Sequence, residues 1–511
     1  MLAKVDSCTI IGIEGVPLEI EVDITDGLPA FDIIGLPDAS VREAKERVRA
    51  AIRNSGFDFP YSRVTVNLAP ADLKKEGSSF DLAIAVGFLT ATGQIPRSEK
   101  LETGVFIGEL SLDGNLRSIT GTLAIALSMS GLPSHYNKTL YLPESNGPEA
   151  ALADGLKIIG ASNLEQLVRH LRGEEELPLA RYLSQDNYND EASEYDFGEV
   201  KGQDMAKRAL EIAAAGAHNI LLYGPPGSGK TMLARRIPSI LPAPGREEVL
   251  EITRIHSVAG QLNSSRPILT RPPFRSPHHS ASMAGVIGGG KAPRPGEVTL
   301  AHRGVLFLDE MPEYSREILE ALRQPLEDRE VTVTRLMATV TYPADFMLIG
   351  SMNPCPCGNY GDPRLECRCS PNQILRYRNK LSGPLMDRLD LHVEVPAIKF
   401  EQLERKEQGE SSAQIRVRVE EARLGQRERY KKIAATTNAQ LRSKYFKQYC
   451  PLAAGARSLL HQAFQSLGLS MRAHDRIIRV ARTIADLDNS EIIDIPHIAE
   501  AVQYRSLDRQ N

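Results

Sequence analysis

Apolar and polar residues alternate along "EIEVDI" and again along "SRVTVNLAP", the period of two expected of half-buried strands. Between them the period changes. In "ASVREAKERVRAAIRNSG" the apolar residues Val41, Ala44, Val48 and Ile52 recur every three or four positions, which predicts an amphipathic helix. Ser40 and Glu43 stand at capping-box spacing, and Gly56 lies just past the expected end. Residues 1–170 therefore read as an α+β domain. Residues 171–195 are polar, acidic and poor in branched apolar side chains, the composition of a linker. From 196 to 398 the short apolar runs "NILLY", "GVLFL" and "FMLIG" are separated by helical stretches, which predicts an α/β domain on a parallel sheet. Residues 399–511 carry almost no strand signal. "SAQIRVRVEEARLGQRERYKK" and "AHDRIIRVARTIADL" make this end a helical appendage.

Composition adds limits rather than detail. The 511 residues suffice for about three domains at ~150 each. A net charge of −4 excludes a global basic field, so any nucleic-acid site must be built from local cations. No apolar run reaches membrane-spanning length, and "MLAKVDSCTIIGIEG" lacks a signal-peptide layout. Six cysteines in a chain of this length are not a disulfide framework. The expectation is a cytoplasmic protein with no membrane partner and no short-period repeat.

The chemistry is concentrated at three strand ends. Gly224, Pro225, Pro226, Gly227, Ser228, Gly229, Lys230 and Thr231 satisfy G-x-x-x-x-G-K-[ST], with the apolar run "NILLY" before and a helical stretch after. Backbone N–H groups of such a loop turn inward around phosphate oxygens, and the following helix adds its positive end. Lys230 would reach the β- and γ-phosphates, and Thr231 would bind Mg²⁺. "GVLFLDE" then ends a buried strand in Asp309, a second Mg²⁺ ligand, and Glu310, which would activate the attacking water. "FMLIGSMNP" ends in Asn353, whose amide can hydrogen-bond the γ-phosphate or that water. ATP and Mg²⁺ are the expected cofactors.

These pieces, in this order, resemble an AAA+ ATPase, which implies a P-loop parallel sheet with a helical C-terminal lid. "DFGEVKGQDMAKRALEIAAAGAHNILLYGPPGSGKT" is similar to the opening segment of that fold, with Val200, Gly202 and Gln203 near the adenine. "GPLMDRLDLHVEVP" resembles the arginine-finger segment and points to Arg388; "LSMRAHDRIIRVARTIADL" resembles the sensor-2 helix and points to Arg472. A finger supplied by a neighbour implies a ring, and such rings are usually homo-hexamers. "FRSPHHSASMAGVIGGGKAPRPGEVTLAHRGVLFLDEMPE" resembles the magnesium-chelatase-like branch, with Lys291 and Arg294 on a mobile insert tip. "EVTVTRLMATVTYP" is similar to its pre-sensor hairpin, with Arg335 near the turn. Cations on such tips could hold a DNA strand by its phosphates without reading sequence.

The resemblance extends nearly end to end to the ComM (YifB) family, through "IIGIEGVPLEIEVDITDGLPAFDIIGLPDASVREAKERVRAAI" and "NLAPADLKKEGSSFDLAIAVG". It implies a hexameric DNA motor that drives branch migration during natural transformation. Two other classes remain: a magnesium-chelatase motor subunit and a Lon-like protease. Residues 1–170 resemble the Lon-type fold, with Ser79 at the nucleophile position, but the lysine position falls at Leu123, which cannot take a proton. Lys74 and Lys75 precede the serine on a different segment. The front domain is therefore expected to be an inactive scaffold. Arg42, Lys45, Arg49 and Arg53 give its first helix a basic face, read as a solvated surface balanced by Glu43 and Glu46.

Cys355, Cys357, Cys367 and Cys369 form a C-x-C…C-x-C array. Four thiolates with turn residues between them can close a tetrahedral structural Zn²⁺ site; the alternative is four reduced, unligated thiols. Cys8 and Cys450 stand apart, and His278 and His279 read as loop-packing or phosphate-contacting residues.

Overall fold

The structure is a computed structural model of the chain. It describes all residues except 74, 76, 133–136, 183–194, 263–266, 291–292, 336–337, 363–364, 398–408, 506 and 508–511, and the side chains of Arg335 and Ala338. Contacts divide it into two units: residues 1–189 with 246–269, and residues 190–245 with 270–511.

The first unit is built on strands β1 (Leu2–Ile11), β2 (Glu14–Thr25), β3 (Ala30–Ile34), β4 (Arg63–Ala69) and β5 (Gly104–Phe106), a short hairpin of β6 (Glu109–Leu110) and β7 (Leu116–Arg117), then β8 (Thr139–Pro143) and β9 (Lys157–Ala161). Seven of these form one mixed sheet in the order β3-β4-β2-β1-β5-β8-β9. The helix Ala39–Asn54 buries Val41, Ala44, Val48 and Ile52, the face its periodicity predicts. Its cap differs from the Ser40–Glu43 expectation. Asp38 is the N-cap and accepts from the Val41 N–H at 2.8 Å, so Ser40 lies inside the first turn. Aspartate caps as well as serine does, and here it precedes the helix directly.

Two features of this unit are not apparent from the linear pattern. The first part of the acidic 171–195 stretch is not free chain. Leu177 is buried, Leu179 bridges to Ile159, and the Ala180 N–H donates to the Ile158 carbonyl at 2.8 Å. These contacts cover the outer edge of β9, whose backbone would otherwise lack partners. The second feature is the helix Arg246–Val258, which belongs here by its contacts although both chain neighbours of 246–269 lie in the other unit. Val249 and Ile268 share an apolar cluster with Leu123 and Leu152, Arg254 donates to the Ile13 carbonyl at 2.6 Å, and Ser257 pairs with Glu149.

The second unit holds β10 (Ile220–Tyr223), β11 (Phe274–Arg275), β12 (Gly288–Gly289), β13 (Arg294–Pro295), β14 (Val305–Leu308), β15 (Glu330–Arg335), β16 (Ala338–Pro343), β17 (Met347–Met352) and β18 (Leu391–Glu394). Five of them make a parallel sheet in the order β11-β14-β17-β10-β18. The strands of this sheet between its edges are buried along their whole length and, apart from Ser351 near the end of β17 and the Tyr223 hydroxyl, apolar, because both faces are covered. The C-terminal helices Ser412–Arg429, Ala454–Leu467, Met471–Leu487 and Ile495–Gln503 share one core with the sheet, in which Ile220 and Leu222 join Val419, Ile477, Ile484 and Ile498. The fold is thus α/β with a helical C-terminal region. β12 with β13, and β15 with β16, form two hairpins outside the sheet, tied together by the buried Tyr342, whose hydroxyl donates to the Pro293 carbonyl at 2.8 Å. No helix among the described residues is long and apolar enough to cross a membrane.

Candidate nucleotide site and thiolate cluster

β10 ends at Tyr223 and the chain enters the glycine-rich loop. Gly224 must lack a side chain, because a Cβ there would stand 2.1 Å from the Val395 carbonyl oxygen. Gly227 (φ +73°) and Gly229 (φ +92°) take the left-handed conformation that turns the loop back before the helix Lys230–Arg236 begins. Lys230 folds over this loop. Its Nζ donates to the Gly224 and Pro225 carbonyls at 2.7 and 2.9 Å and reaches Asn353 Oδ1 at 3.4 Å. Burial lowers its pKa to about 8, with Asp309 and Glu310 opposing the shift. Ser228 Oγ is buried and has no hydrogen-bond partner among the described residues. A cradle with an orphaned hydroxyl and a desolvated ammonium fits a phosphate chain, which would satisfy both.

The neighbouring strand ends converge on the same place. Parallel register puts Leu308 beside Gly350, so Asp309 emerges from β14 beside Ser351 of β17. Thr231 Oγ1 donates to Asp309 Oδ2 at 2.9 Å, and Ser351 Oγ donates to Asp309 Oδ1. The Glu310 N–H donates to Ser351 Oγ at 3.0 Å. Glu310 is left-handed (φ +49°), an unfavourable conformation for a non-glycine residue that turns the chain sharply and leaves its carboxylate exposed. Thr231 and Asp309 supply hydroxyl and carboxylate oxygens suited to Mg²⁺. Val200 is buried, and Gln203 Nε2 donates to the Pro396 and Ser228 carbonyls at 2.7 and 3.2 Å. Sequence reasoning brings all of these together except Ser351, whose only signal is its place two residues before Asn353 on a buried strand.

Arg388 and Arg472 lie elsewhere, along one cavity. Arg388 donates to the Pro384 carbonyl at 2.6 Å and pairs with Glu327, while its Nε is buried and unpartnered among the described residues. Arg472 pairs with Asp387 at 3.0 Å and is two-thirds exposed (66%). Both line one cavity of about 680 Å³ together with Arg329, Arg442, Arg476 and Arg479. None of residues 224–231, Asp309, Glu310 or Asn353 lines it.

Directly after Asn353, Cys355 is fully buried and Cys357, Cys367 and Cys369 gather round it. The four sulphurs lie within 4.8 Å of one another, with Cys355–Cys357 at 3.4 Å and Cys367 at 3.7 Å from each. Disulfide sulphurs would be about 2.05 Å apart. Four ligands at the Zn–S distance of ~2.3 Å in a tetrahedron are about 3.8 Å apart, which the observed spacings approach. Backbone N–H groups of Asn359 and Arg368 pull the Cys357 thiol down, whereas burial and the neighbouring sulphurs push Cys367 and Cys369 up, so the case for a metal rests on the spacing of the four sulphurs. The donor set therefore fits zinc. Among the described residues no other group of three or more His, Cys, Asp or Glu side chains is placed to hold a metal. His278 and His279 instead lie tilted against each other, ring centroids 4.1 Å apart, in the loop after β11.

The residues expected on mobile tips are only partly described. Arg294 is exposed on β13, Arg335 ends β15, and Lys291 lies outside the described residues. In the first unit Leu123 is buried in an apolar cluster, Lys74 lies outside the described residues, and the buried Lys75 donates to the Pro70 carbonyl. Arg49 and Arg53 of the basic helix lie over the Phe59 ring at 5.7 and 5.6 Å.

Three family models match in succession. "Magnesium chelatase, subunit ChlI" covers residues 196–403, "Subunit ChlI of Mg-chelatase" covers 20–146, and "Magnesium chelatase, subunit ChlI C-terminal" covers 409–505. Competence protein ComM of Haemophilus influenzae is 44% identical over 99% of this chain and 98% of its own length. The YifB protein of Escherichia coli is 43% identical over the same shares. Lon protease 2 of Bacillus subtilis is 29% identical over 34% of this chain and 35% of its own length. With the P-loop geometry, these matches show that the chain belongs to the magnesium-chelatase-like AAA+ ATPase family that includes ComM and YifB.

Proposed function

We propose that this protein is an ATP-driven DNA translocase that works as a cytoplasmic homo-hexamer and promotes branch migration during homologous recombination and natural transformation. The observation that carries the reading is the separation of the two halves of the site. Lys230, Thr231, Asp309, Glu310 and Asn353 gather at one end of the sheet, whereas Arg388 and Arg472 line a cavity that none of them reaches. A phosphoryl-transfer site needs cations opposite its leaving group, so each protomer is incomplete and takes its arginines from a neighbour. That arrangement builds a ring and makes hydrolysis depend on how adjacent protomers stand.

In each site Lys230 holds the phosphates, Thr231 and Asp309 hold the Mg²⁺ that travels with ATP, and Glu310 accepts a proton from the attacking water. When bound, Mg²⁺ would supply charge neutralisation to the phosphate chain. Asn353 orients the γ-phosphate. Arg388 and Arg472 of the adjacent protomer neutralise the charge that develops during transfer. The tied hairpins bearing Lys291, Arg294 and Arg335 carry that change to a DNA strand by phosphate contacts alone. The front domain serves as a non-proteolytic scaffold. The four cysteines hold a structural zinc ion. Full-length similarity to a protein named for competence supports the transformation role over a chelatase motor.

A three- or four-strand DNA junction assay with ATP tests the reading. The wild-type chain should move the branch point, and Glu310→Gln should bind ATP and DNA but leave the junction in place. A wild-type chain that hydrolyses ATP without remodelling any junction would defeat it.

A further inference from the structure

The cysteine cluster is part of the floor of the nucleotide loop. Gly358, in the turn after Cys357, has φ +83° and donates its N–H to the Cys355 carbonyl at 3.0 Å. It lies flat against Pro226, the centre of the P-loop. A Cβ built on Gly358 would stand 2.6 Å from Pro226 Cγ and 2.7 Å from Cδ. At its other end the same segment begins at Asn353, which reaches Lys230. Between these ends the turn is held through sulphur and two side chains. The Tyr360 N–H donates to Cys355 Sγ at 3.4 Å, Arg378 donates to the Pro354 carbonyl at 3.4 Å, and its guanidinium lies 5.6 Å above the Tyr360 ring.

Reduced thiols at van der Waals spacing give this turn little rigidity. A metal bonded to all four fixes the Cys355–Cys357 turn to the Cys367–Cys369 turn and takes conformational freedom from the chain between them. We propose that a zinc ion in the Cys355–Cys357–Cys367–Cys369 site positions the P-loop, holding Gly358 against Pro226 and Asn353 beside Lys230, so that nucleotide affinity depends on the metal. The cysteines and Gly358 are positioning residues; none touches the reacting atoms. The proposal rests on the reading that residues 224–231 bind ATP.

Metal content, nucleotide affinity and melting temperature of the purified full chain, read together, test it. Mass spectrometry under native conditions should find one zinc per chain. Stripping it with a mercurial reagent and a chelator should weaken binding of a fluorescent ATP analogue by about tenfold or more. Reducing the thiols and restoring zinc should recover the affinity. Gly358→Ala keeps every thiol, so it should retain one zinc per chain yet bind nucleotide about tenfold more weakly. Adding Pro226→Ala removes the atoms a Cβ would strike and should return the part of that loss due to the contact, leaving the part due to an alanine in the left-handed conformation. A chain purified without metal, a stripped chain that binds nucleotide undiminished, or a Gly358→Ala chain with wild-type affinity overturns the proposal. A wild-type chain that binds no nucleotide overturns the reading beneath it as well. A negative junction assay defeats the DNA role alone, because these measurements use nucleotide only.

Discussion

Thr231, in the first turn of the helix after the glycine-rich loop, and Asp309, just past the end of β14, meet directly: the threonine hydroxyl donates to the carboxylate at 2.9 Å. The two oxygens suited to a magnesium ion thus share a proton in its absence. Both oxygens would serve a bound Mg²⁺, the threonine keeping its proton and turning a hydroxyl lone pair to the ion. What holds Asp309 ready is the next strand, since its other oxygen accepts from Ser351.

Ser351→Ala should therefore impair turnover more than binding. The serine donates to Asp309 and accepts from the Glu310 N–H, so it fixes both acids at once. Its loss leaves the carboxylate one donor short and frees the strained turn at Glu310. Turnover is expected to fall by about tenfold, roughly one charged hydrogen bond, with nucleotide affinity changed by less than about threefold. Steady-state hydrolysis beside equilibrium binding measures the split; weakened binding with turnover at saturating ATP unchanged would show that Ser351 serves binding only.

Lys230 makes nucleotide binding sensitive to alkaline pH. Burial sets its pKa near 8 in the free protein, and bound phosphates would raise it by favouring the charged form. Binding then takes up a proton above that pH. Affinity should be level below pH 8 and fall above it, by up to about tenfold per unit. The stability contribution has the opposite sign. The unfolded lysine, with a pKa of about 10.4, holds its proton where the folded one has lost it, so this group makes the fold more stable as pH rises from 8 towards that value. Lys230→Ala should abolish binding without lowering the melting temperature near neutral pH. Titrations of a fluorescent ATP analogue between pH 7 and 9.5 check the slope, and an affinity unchanged across that range would remove the lysine from the phosphate site.

Arg388→Ala should bind ATP and fail to turn it over, and mixing should reveal why. In the proposed ring, protomers of this variant alone would lack the finger everywhere, and protomers of Lys230→Ala alone would lack nucleotide everywhere. In mixed rings a Lys230-competent protomer beside an Arg388-competent one restores a complete site. Random equal mixing should recover about a quarter of wild-type hydrolysis if the sites act independently. No recovery would argue that Arg388 acts within its own chain.

The P-loop, Asp309, Glu310 and Asn353 were legible because each lies within one contiguous stretch, where a buried strand hands a polar group to its end. The features that complete the site depend on chain segments distant in sequence. Nothing in "GSMNP" says that its serine will meet Asp309, and nothing in "CPCGNY" says that its glycine will face Pro226. The helix Arg246–Val258 shows the same limit. Its place in the first unit beside Leu123 depends on where the chain returns, not on a pattern in its own residues. The displaced cap at Asp38 is a smaller case, in which two adequate caps stood close together and the helix began at the earlier one.

Asp390 links both arginines to the sheet, and its removal should be felt in stability and catalysis together. It is buried, pairs with Arg476, accepts from the Asn219 N–H at 3.1 Å, and lies 3.4 Å from His218 Nδ1. Burial by itself would raise its pKa; Arg476, His218 and Arg479 outweigh that and hold the carboxyl well below the usual range. A depressed carboxylate stabilises the fold above its unfolded pKa of about 3.9 and loses that contribution as pH falls further. Asp390→Asn should cost about 3–5 kcal/mol at pH 7, because it leaves the Arg476 guanidinium buried without its counter-ion. Part of the acid sensitivity below pH 4 should vanish with it. The catalytic effect follows from geometry. Arg476 lies one turn beyond Arg472 on the helix Met471–Leu487, and Asn219, which pairs with Asp390 through its backbone, also donates its side-chain amide to the Arg388 carbonyl at 3.0 Å. Loosening Asp390 therefore loosens both cations, so turnover should fall further than nucleotide affinity. Denaturant melts from pH 3 to 7, run beside hydrolysis and binding, decide it. An asparagine variant as stable as the wild-type chain at pH 7 would mean that the buried pair contributes no net stabilisation and that the arginines are held by other contacts.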